Sequence, residues 1–126
     1  MKKKILLIDD DRVTLTMLEM SLSRHNYQVL LAEDGVKGLE IASSQKPNAV
    51  LCDMLIPKLH GLEVCQRIKQ APQLKETKVV LMTAVYKGTA FKFEAKKAGA
   101  DHFLEKPINM NELINLLEKL LGRPSE

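Results

Sequence analysis

The chain has 126 residues, 45% of them apolar and only 4% aromatic, with two cysteines and no tryptophan, which is the size of one domain and too short for two. A chain of this length can bury about two thirds of its unfolded surface and needs no disulfide or metal staple. The net charge of +3 is accounted for by Lys2, Lys3 and Lys4, and Tyr27, Tyr86, Phe91, Phe93 and Phe103 form no stacking series interleaved with basic residues, so nucleic acid is not the expected partner.

Short continuous apolar runs then alternate five times with longer amphipathic ones, without a sequence repeat. The first strand is predicted over 4–9 (KILLID), and a helix over 12–25 puts Leu15, Leu18 and Leu22 on one side. The second strand covers 28–32 (QVLLA), and its helix, 36–45, stops before Pro47. The third covers 49–53 (AVLCD), with a helix over 62–70 that stops before Pro72. The fourth, 78–83 (KVVLMT), precedes the weakest helix, 89–98, whose stripe is Phe91, Ala95 and Ala98 and which carries Lys92, Lys96 and Lys97. The fifth is 102–105 (HFLE). The last helix has the clearest pattern, Leu113, Leu116, Leu117, Leu120 and Leu121, with a capping-box start at Asn109 and Glu112 and a stop at Gly122 and Pro124.

The apolar run after the N-terminal lysines, Ile5 to Ile8, ends at three aspartates, whereas a secretion signal needs about 7 to 15 apolar residues and a membrane span ~20. Cys52 and Cys65 belong to no C-x-x-C or His-Cys cluster and read as buried thiols of a reducing compartment, so a cytoplasmic location is expected. The folded domain is expected over 1–122, with 123–126 a tail or the start of a linker.

Strands that are apolar throughout are covered on both faces, the habit of a parallel sheet. The (βα)5 pattern implies an α/β, doubly wound, five-stranded, flavodoxin-like sheet of order 2-1-3-4-5, with its crevice beyond the carboxyl ends of the strands. Those ends carry Asp9, Asp10 and Asp11, then Asp53, Thr83, and Lys106 before Pro107. Singly, each has a local explanation as a turn, cap or strand-end residue. Together they point to one site. Carboxylates this close repel by about 4 kcal/mol per pair at 4 Å in a medium of dielectric 20, so a cation must compensate. Oxygen-only donors suit a hard ion, Mg²⁺ in particular. His25, His60 and His102 are scattered singly, which suits surface positions rather than zinc. A carboxylate beside Mg²⁺, a lysine and a hydroxyl is an arrangement for phosphoryl transfer. No Gly-rich phosphate cradle or Ser/His/Asp arrangement supports nucleotide binding or acyl transfer.

The pieces LLIDDD at 6–11, LCDMLIP at 51–57 with Gly61, MTA at 82–84, AGAD at 98–101 and FLEKP at 103–107 resemble, over residues 4 to 121, the receiver domain of two-component response regulators of the single-domain chemotaxis type. The resemblance implies that Asp53 is the phosphoryl acceptor and that Asp9 and Asp10, with Asp53 and the backbone carbonyl of Leu55, hold Mg²⁺. It implies that Thr83 and Lys106 contact the phosphoryl group, that Phe103 is the aromatic switch, that Asp11 caps the first helix, and that the Lys106–Pro107 bond is cis. The expected phosphodonor is a sensor histidine kinase or a histidine phosphotransfer protein. The expected output is a downstream protein or output domain at the face of helix 4, strand 5 and helix 5, where Lys87, Lys92, Lys96 and Lys97 favour an acidic partner, or a homodimer of the phosphorylated form. Two positions that vary in the family, here Leu55 and Val85, offer no group to orient water, which implies a long-lived phosphorylated state.

Two other readings stand beside this one. An inactive receiver-like interaction module would share the fold without chemistry. A haloacid-dehalogenase-like phosphatase fits DDDRV at 9–13, but residues 108–113 supply only Glu112 of the acidic pair it needs, and Asp53 would have no role. A flavodoxin-like FMN carrier is excluded by three negative charges where a phosphate loop belongs.

Overall fold

The apolar runs become β1 (Lys4–Ile8), β2 (Gln28–Ala32), β3 (Ala49–Asp53), β4 (Lys78–Thr83) and β5 (His102–Glu105). They are interleaved with α1 (Arg12–Arg24), α2 (Gly35–Gln45), α3 (Gly61–Gln70), α4 (Thr89–Lys97) and α5 (Met110–Leu121). The computed structural model describes residues 2–84 and 89–123, without the side chains of Thr89 and Ala90. Val85, Tyr86, Lys87 and the Pro-Ser-Glu end at 124–126 lie outside the described residues. The strands form one parallel sheet of order β2-β1-β3-β4-β5, the predicted doubly wound arrangement.

Because side chains alternate along a strand, the sheet divides its residues between two cores. Leu6, Ile8, Val50, Cys52, Val79 and Leu81 pack with Ala42 of α2, Val64, Cys65 and Ile68 of α3, and Phe91 and Ala95 of α4. Ile5, Leu7, Ala49, Leu51, Val80, Met82 and Leu104 pack with Leu15, Leu18 and Leu22 of α1 and Leu113 and Leu117 of α5. Burial on both sides is why polar residues are missing from the strand interiors. Both cysteines are free and buried. Burial pushes the Cys52 thiol well above its ordinary range and Cys65 up to about 11, so both stay protonated and act as small apolar groups. Among the described residues no helix is long and apolar enough to cross a membrane.

The helix starts show where space overrides propensity. The predicted second and third helices begin one residue late, because Gly35 and Gly61, poor helix formers, are the first residues of α2 and α3. A Cβ on Gly35 would lie 2.5 Å from the carbonyl oxygen of Leu59, and one on Gly61 would lie 2.6 Å from both the carbonyl oxygen of Asp53 and the Cα of Met54. The first strand ends at Ile8 rather than Asp9, although the Asp9 amide still donates to the Ala32 carbonyl at 3.1 Å. The turn Pro72–Leu74, unforeseen in the sequence, buries Leu74 beneath the link from α3 to β4. The Lys106–Pro107 bond is cis.

Gly61→Ala tests the close approach. Helix propensity alone would favour alanine by about 1 kcal/mol. The clash is with backbone rather than a flexible tip, so the variant should instead lose roughly 1–3 kcal/mol in urea unfolding. Unchanged or increased stability would show that the α3 terminus can move away from β3.

Candidate functional site

β1 and β3 are neighbours, with Ile8 paired to Cys52, so the next residues, Asp9 and Asp53, reach the carboxyl edge of the sheet side by side. β4 adds Thr83 at the same edge, and the Lys106 amide donates to the Thr83 carbonyl at 2.9 Å, which brings the lysine over from the end of β5. Its Nζ lies 2.6 Å from Oδ2 of Asp9 and 2.7 Å from Oδ2 of Asp53. The remaining oxygens are also engaged: Oδ1 of Asp9 accepts from the Asp11 amide and Oδ1 of Asp53 from the Leu55 amide, each at 2.9 Å. Each of the two carboxylates is therefore held by one backbone amide and one shared ammonium.

Asp10 completes the cluster. One carboxylate oxygen from each of Asp9, Asp10 and Asp53 falls within 4.8 Å of the others. Asp9 and Asp53 are buried, at 0% and 9% exposure, while Asp10 is exposed. Burial raises the Asp9 carboxyl above its ordinary value, and the hydrogen bonds from Lys106 and the Asp11 amide only partly offset it. Burial opposes the charge on Lys106, but the bonds to Asp53 and Asp9 outweigh it and hold the ammonium above its usual range. Three carboxylates facing one ammonium leave negative charge that a hard divalent cation would neutralise.

Asp11 stands apart from the cluster. Its side chain caps α1, accepting from the Val13 amide at 3.1 Å and the Thr14 hydroxyl at 2.7 Å, which keep its carboxyl below the ordinary value. Thr83 is buried at 3% exposure. Phe103 is half-buried, its ring edge-on to Phe91 with centroids 5.3 Å apart and the Lys92 ammonium 5.5 Å from its centroid. The three histidines are all exposed: His25 bonds the Ser21 carbonyl, His102 stacks on Phe103, and His60 caps α3.

Sequence reasoning missed how the turn after Asp53 is fastened. The Gly35 amide donates to the Pro57 carbonyl at 3.2 Å, the Gly61 amide to the Met54 carbonyl at 2.9 Å, and Lys58 pairs with Asp34 at 3.5 Å. The only local trace was the glycines themselves, since the partners lie on other elements.

The Lys106 bridge sets a pH dependence. Asp9 titrates above its unfolded value, so the fold is favoured by acid as pH falls through the native titration of Asp9 toward 3.8. In Lys106→Met the attraction that lowers the Asp9 titration is gone, and that window widens upward. Without divalent cations, the variant should be less stable than the parent at about pH 8 and should recover most of the difference by about pH 5, read by urea unfolding. A deficit that stays constant across the range would show that packing rather than charge dominates.

A family model described as the response regulator receiver domain matches residues 5–118. The response regulator MprA of Mycobacterium sp. (strain KMS) is 36% identical over 125 residues, a match to 99% of this chain and 53% of that protein. The chain thus spans about half the length of the curated relatives it matches. Among solved structures, the Vibrio cholerae chemotaxis protein CheY4 superposes with a TM-score of 0.89 at 27% identity, covering 96% of this chain and all of that one. The receiver domain of the sensor histidine kinase PA1611 of Pseudomonas aeruginosa PAO1, crystallised with a magnesium ion coordinated in its active-site cleft, superposes with a TM-score of 0.87 at 27% identity, covering 97% of this chain and 99% of that one. Matched to that family through all five strands and folded as such receivers are, the chain belongs to the receiver domains of two-component response regulators.

Proposed function

We propose that Asp53 accepts a phosphoryl group from the phosphohistidine of a sensor kinase or histidine phosphotransfer protein, and that the chain is switched by it. Receiver domains of response regulators are signalling modules that interact with histidine kinases, not conventional enzymes. The observation that carries the acceptor assignment is the ammonium of Lys106 at 2.7 Å from Asp53, inside a cluster of three carboxylates at the sheet edge. The donor set is all oxygen, which fits Mg²⁺, and Asp9, Asp10, Asp53 and the carbonyl of Leu55 would hold it. When bound, the ion supplies positive charge to the equatorial phosphoryl oxygens.

An ionised oxygen of Asp53 attacks phosphorus in line and needs no general base. The P–N bond to the donor imidazole breaks with its electron pair left on nitrogen, and an acyl phosphate remains on Asp53. Lys106, anchored by Asp9, transfers its contact from Asp53 to a phosphoryl oxygen, and the Thr83 hydroxyl donates to another. Thr83 drawn toward the new group lets Phe103 turn inward, a shift between two packed arrangements. The output face is α4, β5 and α5. Lys92 and Lys96 are exposed there beside Phe103, which supports an acidic partner or output domain, and a homodimer of the phosphorylated form is the other output; Lys97 lies on the α3 side of α4, where it shares a groove with Leu62, and Lys87 lies outside the described residues. Residues 1–122 form the receiver, 123–126 its tail or the start of a linker, and the buried free thiols support a cytoplasmic setting.

The direct test is the intact mass with a small-molecule phosphodonor. One phosphoryl group should appear in the parent with Mg²⁺ and not after chelation, and none in Asp53→Asn. Amide shifts of the phosphorylated sample should change from Thr83 to Phe103. A label on Asp9 or Asp10, or unchanged labelling of Asp53→Asn, would overturn the assignment, and a parent that takes up no phosphoryl group would favour a receiver-like module without this chemistry.

The lifetime of the acyl phosphate depends on a water placed in line behind phosphorus. Leu55, 51% exposed beside the acceptor, offers no group to orient one. Val85, outside the described residues, has a side chain of the same kind. Autodephosphorylation should therefore be slow, and Leu55→Asn or Val85→Glu should speed the decay of the phosphorylated protein about threefold to tenfold. A parent that decays as fast as both variants would show that these side chains shield nothing.

A further inference from the structure

Helix N-caps are ordinarily oxygen acceptors, because the first amides of a helix have no partner within it. Among the described residues, α1, α2 and α5 follow this rule through Asp11, Asp34 and Asn109. α3 does not. Its cap is His60, whose Nδ1 accepts from the Leu62 amide at 3.1 Å. Neutral imidazole has one acceptor nitrogen and imidazolium has none. Protonation therefore removes the cap and also places a positive charge at the helix end where positive charge is least favourable. Histidine is the side chain whose charge ordinarily changes between about pH 5 and 8.

The position of this cap gives it reach. The next residue, Gly61, donates to the Met54 carbonyl at 2.9 Å and packs on the backbone of Asp53, whose side chain accepts from the Leu55 amide. Of the charged groups in the same turn and the first turn of α3, Lys58 pairs with Asp34 at 3.5 Å and Glu63 with Arg67 at 3.0 Å. On the flanking helices, Glu40 of α2 shares a groove with Leu59, and Glu94 and Lys97 of α4 share one with Leu62. None of these is a second histidine.

We infer that His60 makes the turn after Asp53 acid-sensitive: its protonation uncaps α3 and loosens residues 54–64 while the sheet stays in place. The inference goes beyond the phosphoacceptor reading and holds whether or not Asp53 is phosphorylated. In the unphosphorylated full chain, amide exchange is measured at about pH 7.5 and about pH 5.5 and corrected for intrinsic rates. Leu62, Glu63 and Val64 should lose about three- to ten-fold of their protection at the lower pH, relative to Ile5 to Ile8, since one pH unit below the midpoint of an ordinary imidazole limits the linked loss to about tenfold. His60→Asn, whose cap does not titrate, should keep its protection at both values, and His60→Ala should be poorly protected at both. The inference is overturned by an equal pH response in the parent and His60→Asn, by an equal loss in β1, or by His60→Ala as well protected as the parent at about pH 7.5.

Discussion

One ammonium between two buried carboxylates organises the working edge of this protein. Asp9 and Asp53 are brought together by strand pairing, which does nothing to relieve their repulsion. Lys106 relieves it and fixes one oxygen of each, while backbone amides fix the others. The compensation is incomplete, since burial still raises the Asp9 carboxyl. Three carboxylates facing one ammonium leave a net negative charge, which favours a hard divalent cation.

The sheet makes such a site inexpensive to build. Its interior residues are apolar and covered by helices on both faces, so polar groups collect where the strands stop. Placing the Asp53 carboxylate, the lysine and the hydroxyl at the ends of different strands gives each a rigid support and a short reach. Thr83 ends β4 and Lys106 follows β5, and a backbone hydrogen bond joins the two. Phe103 lies on β5 just before that lysine, its ring against Phe91 of α4, which links the sheet edge to the basic surface of that helix.

The turn between β3 and α3 belongs to the same assembly. It is fastened to α2 through Gly35, Asp34 and Lys58, and to β3 through Gly61, by a small number of hydrogen bonds and one exposed ion pair. Ion pairs of that kind contribute little. The turn therefore depends on its glycines and on the cap of α3, which in this chain is an imidazole rather than an oxygen.

By itself the sequence determined the strands, the order of elements, the faces of α1, α4 and α5, and which strand ends are polar. These follow from local periodicity, which the chain carries in every window of residues. It also held the acidic cluster as a list of candidates. The family resemblance already separated Asp10 from Asp11; the tertiary structure gives the reason, since Asp10 joins Asp9 and Asp53 while Asp11 turns away to cap α1, neighbouring residues that differ in direction, not in type. Only the fold brings Lys106 to Asp9, a partner 97 residues away in sequence. The same holds for Gly35 and Gly61, left just outside the predicted helices, which open those helices because the backbones of Leu59 and of Asp53 and Met54 occupy the space of a side chain. Contacts of this kind are set by how strands and helices pack, and no local pattern records them.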